Sequence, residues 1–183
     1  MSKPEPNVLT DGAILLRRWE PDDWRAVFDA CQDDLIARFT PIPLPYTEEA
    51  ARGFISMCED AWASGTERPF AIADTATNAV LGSITRHAPW GHGVHFGYWV
   101  APEARGRGVA TRALRLIAEW TLATTNLIRL DLYTHPDNHA SGRVALGAGF
   151  AREGVRRAWD LDRDGNPEDA IFYVLIRKAP RSN

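Results

Sequence analysis

The chain has 183 residues, of which 45% are hydrophobic and 25% are charged, and its formal net charge is −3. This composition is typical of one globular domain with a sizeable core, and the slight acidic excess argues against a nucleic-acid-binding protein. The sequence contains no apolar run of the ~20 residues that span a membrane, no signal-peptide pattern and no cysteines at metal-ligand spacing. We therefore expect a cytoplasmic protein with reduced cysteines and no membrane or nucleic-acid partner.

The first half of the chain predicts a strand, two helices and a hairpin after a loose lead-in over residues 1–12. In chain order we expect a strand over 13–19, a helix over 22–32, an extended loop over 40–46, a helix over 47–64, and hairpin strands over 68–74 and 79–87. Pro21 followed by two acids is typical of a helix start. Thr47 suits the N-cap of the second helix, and Gly65 suits its end.

The second half predicts a sheet interrupted by two helices. We expect strands over 94–100 and 128–134, helices over 108–124 and 138–147, and a closing antiparallel pair over 150–161 and 170–177. In the longer helix, apolar residues recur at i, i+3 and i+4, as in Ala110, Ala113 and Leu114, so one face packs inward. The element order favours a single α/β (α+β) domain over residues 13–178, with a mixed sheet and helices on its faces.

A short basic loop, Arg105-Gly-Arg-Gly108, lies between the aromatic strand and the longer helix. A loop of this kind directs free backbone N–H groups and the positive end of a helix dipole at one point, which suits a diphosphate. The sequence contains no GxxxxGK[ST] string, and the glycines at 106 and 108 lack the third glycine of a dinucleotide-binding fingerprint. Coenzyme A therefore fits better than a nucleotide, and the remaining alternative is an ordinary glycine turn with solvated arginines.

Four motifs in the expected order resemble the GNAT N-acetyltransferases, and in particular the RimJ/RimL-type branch that acetylates ribosomal proteins. Arg105–Ala110 matches the acyl-CoA signature R/Q-x-x-G-x-G/A, and it lies between Phe96–Val100 and the pair Asn138-x-x-Ser141, with Gly147–Phe150 at the end. The resemblance implies a GNAT fold, whose mixed and mostly antiparallel sheet has splayed middle strands and flanking helices. It also implies acetyl-CoA as co-substrate, an amine acceptor (a protein N-terminus or a small molecule), and a possible homodimer.

The resemblance also implies a set of residues that bind acetyl-CoA. They are Trp99, Val100, Arg105, Gly106, Arg107, Gly108, Val109, Ala110, Thr111, Asn138 and Ser141. A backbone N–H near Trp99 or Val100 would polarise the thioester carbonyl, and Asn138 would hold the pantetheine arm. Asn138 also suits the N-cap of its helix, and the two roles are compatible.

Three residues are candidates for the proton transfers. Many GNAT enzymes have a tyrosine in the helix after the splayed strand, but no tyrosine lies between residues 134 and 172, so Ser141 is the available hydroxyl to protonate the leaving thiolate. Glu67 and His95 are the candidate bases, and a surface role is the alternative for each. His87, His92 and His135 are less suited than these two, and no histidine pair has metal-ligand spacing, so we expect no metal.

The acceptor amine must lose a proton before it attacks. A lysine amine has a pKa near 10.4, so deprotonation at neutral pH costs about 4 kcal/mol, against about 1 kcal/mol for an α-amine with a pKa of 7.7–8.0. The loops 39–46, 90–93 and 160–168 are expected to shape the acceptor pocket, although the acids of the last loop also suit a solvated hairpin tip. A non-catalytic module that senses acyl-CoA is the alternative function, and the presence of Asn138 and Ser141 favours the enzyme.

Overall fold

The structure is a computed structural model that describes residues 8–177. Its strands are β1 (Val8–Thr10), β2 (Ile14–Arg17), β3 (Arg68–Asp74), β4 (Val80–Arg86), β5 (Gly93–Val100), β6 (Arg129–Thr134), β7 (Ala151–Leu161) and β8 (Pro167–Ile176). Its α-helices are α1 (Trp24–Ala30), α2 (Asp34–Phe39), α3 (Glu48–Ser64), α4 (Val109–Thr124) and α5 (His139–Gly147).

The eight strands form one sheet in the order β1-β2-β3-β4-β5-β6-β8-β7. Every neighbouring pair is antiparallel except β5 and β6, which are parallel. These two central strands pair only between Gly93–His95 and Arg129–Asp131, and no pairing continues along the rest of either strand. The predicted fold class is therefore confirmed, including the mostly antiparallel sheet with splayed middle strands.

The structure differs from the sequence prediction in the first forty residues. Residues 1–12 were expected to be a loose lead-in, but Val8–Thr10 forms a strand that pairs with β2; residues 1–7 lie outside the described part, as does Lys178 at the expected end of the domain. The helix predicted over 22–32 ends at Ala30, and the separate helix α2 follows it. Asp33 caps α2 by accepting hydrogen bonds from the N–H groups of the second and third residues that follow it. An N-cap aspartate stabilises a new helix, which is the signal that the prediction missed.

The core lies on both faces of the sheet, and β5 contributes to both. Val94 and Phe96 pack with Leu114 and other residues of α4, all of them almost completely buried. Trp99 points to the opposite face, where it packs against side chains of α1 and α3. Because side chains alternate along a strand, Tyr98 shares the face of α4, whereas His95 and Gly97 share the face of Trp99.

Candidate active site

The gap between β5 and β6 exposes backbone groups of β5. Two backbone hydrogen bonds, from His87 N–H to the His95 carbonyl (3.0 Å) and from Ala101 N–H to the Leu81 carbonyl (2.9 Å), fix the alternation of the β4–β5 ladder. In an antiparallel ladder, every second residue directs its N–H and C=O away from the partner strand. The backbone of Val100 therefore faces the gap, as predicted, whereas that of Trp99 faces Ser83 on β4, so the sequence prediction for the Trp99 amide is wrong.

The loop after β5 prepares the amino end of α4 for an anion. Gly106 and Gly108 have φ values of +73° and +74°, in the left-handed region that favours glycine. Gly108 is the N-cap of α4 and contributes no side chain to it, and the first backbone bond of the helix runs from Arg112 N–H to the Gly108 carbonyl (3.0 Å). The amides of residues 109–111 thus have no partner within the helix and lie at the positive end of its dipole.

The two arginines of this loop differ in their surroundings. The Arg105 guanidinium donates two hydrogen bonds to the Asp33 carboxylate, at 3.1 Å and 2.6 Å, and these bonds lower the pKa of Asp33. Arg105 therefore ties the start of α2 to the glycine loop instead of presenting a free cation. Arg107 is exposed and does not line the cleft that begins at this loop.

A cleft of about 630 Å³ runs from the glycine loop along the gap to α5, within the size range of small-molecule sites. Ten of the predicted cofactor residues line it, namely Trp99, Val100, Arg105, Gly106, Gly108, Val109, Ala110, Thr111, Asn138 and Ser141. Sequence reasoning missed Arg143 of α5, which also lines the cleft and has no hydrogen bond or ion pair within residues 8–177. The signal was a basic residue on the helix that carries Asn138 and Ser141.

Ser141 lies in the cleft beside a tyrosine of β5. Asn138 accepts a hydrogen bond from the Ser141 N–H (3.1 Å), so it caps α5. The Ser141 hydroxyl lies 2.7 Å from the Tyr98 hydroxyl, and burial raises the pKa of Tyr98, which keeps this phenol protonated. The expectation that Ser141 is the hydroxyl available at this place is therefore incomplete, because the tyrosine comes from the preceding strand and not from the following helix.

The two predicted bases lie on the opposite face of the sheet, and a histidine joins them. The Glu67 carboxylate is 2.9 Å from Nδ1 of His87, and the His87 ring stacks on the His95 ring with their centroids 4.3 Å apart. Burial lowers the pKa of His95, and the neighbouring His87 adds to this effect. Sequence reasoning ranked His87 below both residues, because the strand pairing that brings them together is not visible in the sequence.

The loops expected to shape the acceptor pocket are partly brought together. Arg163, at the tip of the β7–β8 hairpin, donates hydrogen bonds to the backbone carbonyls of Ala37, Thr40 and Ile42, at 2.6 Å, 3.2 Å and 3.0 Å. The hairpin tip is thereby fastened to the end of α2, which lines the cleft. Asp162 accepts hydrogen bonds from Asn166 within the tip, so this acid shapes the turn.

Within residues 8–177, no three His, Cys, Asp or Glu side chains are grouped as a metal site would require. The helices of the described part include none that is long and apolar enough to cross a membrane. The cytoplasmic location and the homodimer stay predictions.

Comparison with known proteins agrees with this geometry. Residues 13–151 match the sequence model of the acetyltransferase (GNAT) domain. The chain belongs to the GNAT acetyltransferase family. It is 27% identical over 171 residues to the uncharacterized N-acetyltransferase YnaD of Bacillus subtilis, and the match covers 93% of this chain and 97% of YnaD.

Solved structures show the same fold. A GNAT-family acetyltransferase from Bacillus anthracis superposes with a TM-score of 0.83 at 24% identity, and the match covers 92% of this chain and 98% of that one. RimL, a ribosomal L7/L12 α-N-protein acetyltransferase determined in complex with coenzyme A, gives 0.81 at 18% identity, covering 92% and 97%. Mycobacterium smegmatis RimJ in complex with a CoA disulfide gives 0.81 at 21% identity, covering 96% and 90%. This chain is thus a GNAT N-acetyltransferase that uses acetyl-CoA.

Proposed function

We propose that this GNAT enzyme transfers the acetyl group of acetyl-CoA to a primary amine, either a protein N-terminal α-amine or the amine of a small molecule, by direct attack in a ternary complex. One observation carries the proposal: a cleft that joins uncapped helix amides at one end to a strand gap and a hydroxyl pair at the other. The glycine loop would hold the diphosphate, and the gap between β5 and β6 would hold the extended arm.

The residues at the diphosphate end divide the work by type. The amides of Val109, Ala110 and Thr111 would donate hydrogen bonds to phosphate oxygens, and bonds to a charged acceptor are about twice as strong as neutral ones. Arg143 would add a side-chain cation, since it is unpaired within the described residues and lines the cleft. Arg105 would act by holding the loop in position through Asp33.

The residues at the thioester end would assist both halves of the transfer. The N–H of Val100 faces the gap and would donate to the thioester oxygen as it gains negative charge. The Ser141 hydroxyl would give its proton to the leaving thiolate, and the adjacent Tyr98 hydroxyl, 2.7 Å away, would replace that proton. Asn138 holds the first turn of α5, and with it the position of Ser141.

Direct attack fits the surroundings of the two cysteines. Cys31 and Cys58 are both buried, and neither lines the cleft. Burial raises the pKa of Cys31 to about 11 and that of Cys58 to about 12. A thiol must be ionised to act as a nucleophile, so neither cysteine is suited to carry the acetyl group.

An acceptor with a low pKa needs the least help, which favours an α-amine over a lysine. The predicted bases Glu67 and His95 belong to one cluster with His87, on the side of the sheet opposite Ser141. The proton of the incoming amine would leave on that side. The thiolate would be protonated on the other.

The test is a panel of amines, including N-terminal peptides, lysine side-chain analogues, polyamines and amino sugars, assayed for release of free CoA thiol. We expect acetyl-CoA to bind in calorimetry and thiol to be released with at least one class of primary amine. Ser141→Ala is the matched variant, since it removes one hydroxyl at an intermediate surface position of α5. Binding of CoA without thiol release for any amine would support the non-catalytic sensor, and absence of binding would refute the assignment of the cleft.

A further inference from the structure

His87 has one ring nitrogen bound and the other directed at the strand gap. Its Nδ1 lies 2.9 Å from the Glu67 carboxylate. An ionised carboxylate only accepts hydrogen bonds, so Nδ1 must carry the hydrogen, and Nε2 of the neutral ring is left with the lone pair. This arrangement of a carboxylate and an imidazole fixes both the tautomer and the ring orientation.

The free Nε2 lies over Gly97 of β5. A Cβ atom built on Gly97 would meet His87 Nε2 at 3.0 Å, closer than nearly all real contacts of this type. Glycine at this position therefore lets the imidazole lie directly against the strand. Gly97 follows His95, the last residue of β5 that pairs with β6, by two positions, so Nε2 lies at the point where the gap opens.

We propose that His87, oriented by Glu67, is the general base that removes a proton from the acceptor amine. This inference rests on the proposed function and assigns the proton acceptor within it. Of the two bases predicted from sequence, Glu67 becomes a positioning residue that acts through His87, and His95 becomes the ring on which His87 stacks.

The geometry separates the two proton transfers. The Nε2 lone pair of His87 takes one proton from the acceptor ammonium and passes it to solvent, which leaves a neutral amine. The nitrogen then forms the C–N bond with the acetyl carbon, and the C–S bond breaks. The second proton of the attacking nitrogen is lost in the same step, while the thiolate receives a proton from Ser141 on the other face. The products are the amide, free CoA thiol and one proton.

The groups around His87 favour this role. The Glu67 carboxylate stabilises the imidazolium that forms, and both side chains are about one-third exposed, so an amine and solvent reach them. His95, stacked at 4.3 Å with an interplanar angle of 17°, has a lowered pKa and so remains neutral when His87 gains charge. The buried Asp131 is already paired with Arg129 at 2.6 Å, and Tyr133 contacts His95 through its ring.

The kinetic test compares wild type with His87→Ala on the best amine of the panel. We expect kcat to fall about 10²–10⁴-fold near neutral pH, the range typical of a lost general base. The deficit should shrink as pH rises, because the amine then loses its proton without help. Added imidazole should restore part of the activity, since His87→Ala leaves an opening over Gly97. The KM for acetyl-CoA should change little.

Three variants separate catalysis from structure. Glu67→Gln keeps an oxygen that accepts from Nδ1 and should retain more activity than Glu67→Ala. His92→Gln, at an exposed turn, should match wild type. His95→Gln should keep the pH dependence of wild type. If His87→Ala keeps wild-type kcat and pH dependence, or if His95→Gln is the variant that loses them, the proposal is wrong, whereas wild type that acetylates no amine contradicts the proposed function itself.

A measurement without any acceptor completes the test. Nitrogen-15 NMR of the histidine rings reports which nitrogen is protonated in the free enzyme. We expect His87 to show a protonated Nδ1 at alkaline pH in wild type and a mixture of tautomers in Glu67→Ala. A protonated Nε2 in wild type would overturn the assignment.

Discussion

Replacement of Gly108 tests the diphosphate site most directly, because this residue is both the N-cap of α4 and part of the cleft lining. Its φ is +74°, and an added Cβ would meet no atom within 4 Å. Gly108→Ala therefore costs about 1–2 kcal/mol in backbone strain and nothing in steric conflict within the protein. Gly108→Trp adds a side chain that fills the space in front of the helix amides.

The effect on binding follows from the hydrogen bonds that are lost. A hydrogen bond to a charged group contributes about 1.5–3 kcal/mol, so the loss of two such bonds weakens binding by about 3 kcal/mol or more. That corresponds to about 100-fold or more in the dissociation constant for CoA. We expect Gly108→Trp to reach this loss and Gly108→Ala to lose less, because alanine disturbs the amides only through strain.

Gly12 provides the matched control. It also has a positive φ, +89°, and an added Cβ there would meet nothing within 4 Å, but it lies in the β1–β2 turn outside the cleft. Gly12→Ala and Gly108→Ala should therefore lower the melting temperature similarly, by about 2–4 °C per kcal/mol, and only Gly108→Ala should weaken CoA binding. Calorimetric titration with CoA measures the affinity. A folded Gly108→Trp variant with wild-type affinity would refute the diphosphate placement.

Contacts in the structure lead to three further predictions. Ser141→Ala should lower kcat and leave the KM for acetyl-CoA nearly unchanged, and Tyr98→Phe should give a smaller loss in the same assay; full activity of both variants would remove the hydroxyl pair from the mechanism. Because the pKa of His95 lies below its usual 6.5, the unfolded chain takes up this proton at a higher pH than the folded chain does, so the free energy of unfolding should fall as pH is lowered below about 6.5. Urea titrations at several pH values check this, and His95→Gln should reduce the slope; an unchanged slope in that variant would show that His95 is not its source. Arg163→Ala should raise the KM for the amine several-fold and leave that for acetyl-CoA unchanged, because its bonds fasten the hairpin tip to the end of α2; equal effects on both constants would show that the tip does not shape the acceptor side.

The sequence alone was sufficient for most of the elements and for the diphosphate loop. Chemistry that depends on neighbours along the chain is readable there: two glycines before a helix leave its amides free, and Asn138 caps the helix that carries Ser141 three residues later. The alternation of apolar residues indicated which strands are buried. The splayed sheet could be expected once the motifs were found in order.

Only the tertiary structure decided which distant side chains meet. Tyr98 reaches Ser141 across 43 residues, Glu67 reaches His87 across 20, and Arg105 is occupied by Asp33 across 72. A period-two pattern tells which face a strand residue occupies, but the register between strands determines its neighbour. A shift of one residue in that register would move His87 to the other face of the sheet, so its meeting with Glu67 and Gly97 is a property of the fold.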